Sequence, residues 1–126
     1  NFTKRDECIA FMLLLEFFED LQERESASVE DAENLRFRFG DFLHYAHGRF
    51  HDLYPGQADT YNEEYVRAKA LRPIMPQLEK YRFIERLEPP AGEPVEYDDT
   101  IFEALPALWH YNVHRLSRPV AEGEPS

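Results

Sequence analysis

The prolines between residues 71 and 99 constrain this chain more than any other feature. The stretch reads LRPIMPQLEKYRFIERLEPPAGEPVEYDD. Pro73 and Pro76 forbid one continuous helix here, because proline has no backbone N–H and its ring clashes with the preceding turn. Pro73 suits the first turn of a new helix, and Pro76 is tolerable only within that same turn. Two short helices are therefore predicted, over 61–71 and 73–81, joined by a tight turn. Thr60 and Asn62 are candidate caps for the first of them. Phe83-Ile84-Glu85-Arg86-Leu87 has β-formers at both ends and predicts a short strand. The run from Pro89 to Pro94 cannot be helical, and Val95-Glu96-Tyr97 is expected to return as a second strand.

Longer helices flank this segment. Thr3-Lys4-Arg5-Asp6 matches a capping box and opens a helix over 6–24. Its apolar residues cover most of its circumference through Phe18, so it must be buried on several sides, by this domain or by a partner. Ser28-Val29-Glu30-Asp31 is a second capping box, predicting a helix over 29–53. Its stripe is Leu35, Phe39, Phe42, Leu43, Ala46, Phe50 and Leu53. Gly40 and Gly48 each weaken that helix and mark either a close crossing or a break. A final helix is expected after Asp98 or Asp99, with Ile101, Phe102, Leu105, Leu108, Trp109, Val113 and Leu116 on one face and a kink at Pro106.

The run Leu78-Glu79-Lys80-Tyr81-Arg82-Phe83-Ile84-Glu85-Arg86 resembles the end of the recognition helix and first wing strand of winged-helix proteins. These commonly show a Leu-Glu pair, a few residues, then an apolar-acid-basic strand start. The resemblance covers about 61–97. One departure is Arg82, where such proteins often carry a Gly or Asn helix cap. The resemblance implies a mainly α fold with a small β-hairpin, a winged-helix-like domain with additional N- and C-terminal helices. One domain over 1–116 and a polar, disordered tail over 117–126 are expected. Winged-helix domains include DNA readers. They also include acidic protein-binding subunits of larger assemblies, accessory subunits of bacterial chromosome-organising complexes among them.

Charge bears on that choice. The chain of 126 residues has a net charge of −11. Residues 67–86 nevertheless carry Arg67, Lys69, Arg72, Lys80, Arg82 and Arg86, the chain's clearest positive bias. A strongly acidic body is a poor generic nucleic-acid binder, since that affinity comes largely from neutralising phosphates. It suits a basic partner instead. The longest unbroken apolar stretch, Phe11 to Leu15, is far below the roughly 18 residues of a membrane span. No signal peptide is visible and a cytoplasmic location is expected. The single cysteine, Cys8, lies in an apolar run and is expected to be a buried thiol.

Three functions follow as expectations. The first is a non-enzymatic protein–protein interaction or assembly module, homodimeric or within a complex, presenting Phe11, Leu14, Leu15 and Phe18. Tyr45, Tyr54, Tyr61, Tyr65, Tyr81, Trp109 and Tyr111 are further candidate anchors, because aromatic residues dominate interface energetics. The alternative is a sequence-specific DNA-binding regulator using Arg67, Lys69, Arg72, Gln77, Lys80, Arg82 and Arg86. Against it, the putting of Pro-Ile-Met-Pro at the groove-entering end supplies no donors, and the wing tip carries Glu93 without Lys or Arg. The third is a metal-binding helical domain, with His44, His47 and His51 on one helix and His110 and His114 on another. The paired acids Glu30/Asp31, Glu63/Glu64 and Asp98/Asp99 fall at expected helix starts, where they complement the helix dipole. No Gly-rich phosphate loop, serine nucleophile elbow or Cys–His pairing is present, so neither catalysis nor a cofactor is expected.

Overall fold

The computed structural model describes residues 4–24, 35–89 and 94–108. Within them the order is helix α1 (Arg5–Arg24), strand β1 (Arg36–Arg38), helix α2 (Phe39–Leu53), a short helical turn α3 (Glu63–Tyr65) continuing as a π-helical stretch (Val66–Leu71), helix α4 (Met75–Lys80), and strands β2 (Ile84–Arg86) and β3 (Ile101–Ala104). The strands form one antiparallel sheet in the order β1-β3-β2. Phe37 pairs with Phe102 on one side of β3, and Glu85 with Glu103 on the other. The fold is therefore mainly helical with a small sheet.

Helix α1 follows its apolar spacing. Ala10, Leu13, Leu14, Phe17, Phe18 and Leu21 recur at three- and four-residue intervals and are buried against α2 and the π-helical stretch. The chain thus covers most of this apolar helix itself. Leu14, Leu15 and Phe18, expected at an interface, are core residues, and Phe11 is half-buried with its ring 6.0 Å from Phe83. Cys8 is exposed rather than buried, because it shares the outer face of α1 with Met12, four residues on and 52% exposed.

Two elements differ from the sequence expectation. The helix predicted over 29–53 begins only at Phe39, and Arg36–Arg38 is a strand; residues 29–34 lie outside the described set. Leu35 and Phe37 are buried while Arg36 and Arg38 are exposed, a period of two that only a strand accommodates. The returning strand is Ile101–Ala104, not 95–97, and it replaces the predicted start of a terminal helix. Phe102 and Ala104 face the core from it, and Pro106 stops any helix from reaching back through it. Trp109, Tyr111 and the other residues from 109 onward, with His110, His114 and the tail, lie outside the described residues, as do the two predicted capping boxes' Thr3 and Ser28.

Two short helices do form around Pro73 and Pro76, but α4 begins at Met75 with Pro76 in its first turn, and Pro73 lies in the connecting turn ahead of it. Asn62 caps the first of the two: its side chain accepts from Tyr65 N at 2.9 Å. The continuation is π-helical, Arg72 N donating to Arg67 O at 3.0 Å, five residues back. Among the described residues no helix is long and apolar enough to cross a membrane.

Candidate functional site

Most of the arginines in the basic segment already have partners within the fold. Arg67 points from the π-helical stretch onto the helical turn Tyr97–Asp99, donating from Nε to Asp98 Oδ1 at 3.1 Å and from Nη2 to Oδ2 at 2.8 Å. This two-pronged pairing is the geometry that makes arginine–carboxylate contacts strong. Its Nη1 also donates to Glu64 Oε1 at 2.6 Å. The hydrogen bonds from Arg67 hold the Asp98 carboxyl below its ordinary pKa, against the opposing effect of burial. Asp98 is therefore an ion-pair partner and not a helix cap. Glu63 and Glu64 do sit in the first turn of α3.

Tyr97 gathers two more cations. The Arg72 guanidinium lies 4.2 Å from its ring centre and that of Arg86 5.6 Å, while the Phe39 ring meets it edge-on at 4.7 Å. Burial raises the Tyr97 pKa. Arg86 also donates to both carboxylate oxygens of Glu79 at 3.3 Å. The turn seats against the start of α2, where Phe39 N donates to Thr100 O at 2.9 Å. A Cβ at Gly40 would come within 3.0 Å of the Asp98 carbonyl oxygen, so this glycine marks a close approach, whereas Gly48 faces open space.

The remaining residues of the DNA set are spread out. Lys69 is exposed on the π-helical stretch, Gln77 is half-buried on α4, and Lys80 lies over the ring of exposed Tyr81 at 5.7 Å. Arg82 is exposed with φ at 63°, the left-handed conformation in which glycine or asparagine ordinarily ends a helix. It closes α4 together with Phe83 N, which donates to Leu78 O at 2.9 Å.

Among the other aromatic candidates, Tyr61 is buried, stacked on Phe50 at 4.9 Å and Tyr54 at 5.0 Å. Tyr45 packs on Phe17 and donates to Glu16 Oε1 at 2.6 Å, beside Arg49, whose Nε reaches the same oxygen at 2.8 Å. Of the tyrosines in the described residues only Tyr81 projects strongly, at 54% exposure. His44 is exposed on α2; His47 and His51 are half-buried with their rings 4.5 Å apart, and His51 Nε2 is 3.0 Å from the Tyr61 carbonyl oxygen. No group of three or more metal-ligating side chains converges among the described residues.

Sequence reasoning singled out the cations but not their partners Glu79, Tyr97 and Asp98. Nothing local signals a contact 31 residues away, such as Arg67 with Asp98. No family model, curated protein or solved structure matches this chain.

Proposed function

We propose that this chain is a non-enzymatic protein–protein interaction or assembly module built on an acidic winged-helix-like domain. The order α1-β1-α2-α3-α4-β2-β3, with β3 central in a three-stranded antiparallel sheet, supports the winged-helix reading: helices lead into a hairpin whose second strand also pairs with an early strand. The observation that carries the functional reading is the engagement of Arg67, Arg72 and Arg86 by Asp98, Tyr97 and Glu79. Cations already paired inside a fold release few counterions on meeting phosphate, and the net charge of −11 repels a duplex. The same acidic exterior favours encounter with a basic partner. On α1 the contribution to an interface falls to Met12 and the half-buried Phe11, with Leu14, Leu15 and Phe18 committed to the core.

The test is light scattering across a protein dilution series, with and without duplex DNA, at low and physiological salt. Assembly predicts a mass above 14.9 kDa that falls on dilution and does not change with DNA. DNA binding is the second reading, favoured only by the exposed Lys69, Lys80 and Arg82. It predicts a monomer that gains mass with duplex, reverses with salt, and loses the effect in Lys80→Ala and Arg82→Ala.

A further inference from the structure

A hollow of about 410 Å³ opens beside the N-terminal turn of α1, lined by Lys4, Arg5, Asp6, Tyr65 and Lys69. Three cations against one carboxylate is an unusual local balance for so acidic a chain. That carboxylate is already engaged: Tyr61 Oη donates to Asp6 Oδ1 at 3.0 Å, Tyr65 Oη to Oδ2 at 2.6 Å, and Arg5 Nε lies 3.5 Å from Oδ1. Lys4 and Lys69 are exposed and make no ion pair among the described residues.

The surroundings are pre-organised. Arg5 Nη2 donates to Tyr61 Oη at 2.9 Å, and the guanidinium lies 5.1 Å from the Tyr54 ring centre. Tyr61 is itself buried and stacked on Phe50 and Tyr54, which fixes the oxygen that orients Arg5. The first turn of the 20-residue α1 adds the positive end of its dipole on the same side.

We propose that this hollow binds the phosphoryl group of a small organic phosphate. Lys4, Arg5 and Lys69 match the charge and the several acceptor oxygens of a phosphate better than those of a single carboxylate. The volume exceeds what a lone oxyanion fills and falls in the range of small-molecule sites, leaving room for an organic body beside the Tyr65 ring. A small ligand needs only this hollow, whereas a duplex would have to lie along a surface of opposing charge. It does not rest on the assembly reading, because neither Met12 nor Phe11 lines the hollow.

The experiment is isothermal titration calorimetry of the full chain with pyrophosphate and with ATP, free of divalent metal, at about 50 mM salt, where screening is weak. Both probes are expected to bind. Lys4→Ala and Lys69→Ala should each weaken binding by about tenfold, the loss of one charge-assisted contact. Lys80→Ala, outside the hollow, should leave it unchanged, and circular dichroism checks that each variant is folded. No binding of either probe at about 5 mM, a weak limit on the affinity scale, overturns the proposal. So does an equal loss in Lys80→Ala, or citrate binding as tightly as pyrophosphate. A labelled 20-base-pair duplex that binds more tightly than ATP and loses affinity in Lys4→Ala and Lys69→Ala overturns the small-ligand assignment.

Discussion

At Arg82 the backbone takes a conformation that disfavours every residue with a Cβ. Its φ of 63° closes α4, with Arg82 N donating to Glu79 O at 3.1 Å and Phe83 N to Leu78 O at 2.9 Å, the paired bonds of a Schellman cap. The sequence departure from Gly or Asn did not remove the cap; arginine simply occupies it under strain. Arg82→Gly is expected to raise stability by about 1 kcal/mol, relief of left-handed strain partly offset by glycine's greater chain entropy. A urea midpoint that fails to rise would contradict this. The two glycines of α2 give an opposed pair. Gly40→Ala must push a Cβ against the Asp98 carbonyl oxygen at 3.0 Å and should destabilise by about 1–3 kcal/mol. Gly48→Ala meets nothing within 4 Å and should stabilise by about 0.5–1 kcal/mol through helix propensity. Urea midpoints of the two variants should move in opposite directions.

Between elements, Glu16 on α1 takes hydrogen bonds from Arg49 and Tyr45 on α2. The Arg49 hydrogen bonds pull the Glu16 carboxyl below its ordinary range, against burial, and Tyr45 adds to the pull. Burial first, then the bond to Glu16, pushes the Tyr45 hydroxyl up to about 12. For Glu16 and Asp98 the folded pKa lies below the unfolded value, so their stabilisation is present above about pH 4.5 and is lost as pH falls through the folded pKa. Tyr45 has the opposite sign: its contribution is complete below about pH 10 and fades as pH rises toward 12. Urea midpoints against pH should therefore fall at both ends. Glu16→Gln should flatten the acid limb and Tyr45→Phe the alkaline one; unchanged limbs in both variants would contradict the assignment.

The same scale explains what the sequence disclosed. Helix α1, the Asn62 cap, the proline-bounded α4 and strand β2 follow from local spacing and proline chemistry, so they were legible. Strands β1 and β3 were not. Each is stabilised by pairing across more than 60 residues, as in Arg36 with Glu103, and Ile101, Phe102, Leu105 and Leu108 fit a helical stripe as well as they fit a strand. The engagement of Arg67, Arg72 and Arg86 was hidden for the same reason: composition counts charges but does not pair them.

For the molecule as a whole, the helical turn Tyr97–Asp99 packs on α2, takes Arg67 from the π-helical stretch at Asp98, and sets the Tyr97 ring 6.4 Å from Phe102 of the sheet. Arg67, Arg72 and Arg86 converge on this junction or on the sheet beside it, so these three arginines brace the fold, while Lys69, Lys80 and Arg82 of the same segment are exposed. The most direct test of that claim is a double-mutant cycle on stability with Arg67→Ala, Asp98→Ala and the pair. An engaged, partly solvent-exposed bidentate pair predicts a coupling of about 1 kcal/mol, measured from urea midpoints. Additivity to within about 0.3 kcal/mol would mean that the two side chains do not act on one another, and the arginines would again be available to a nucleic acid.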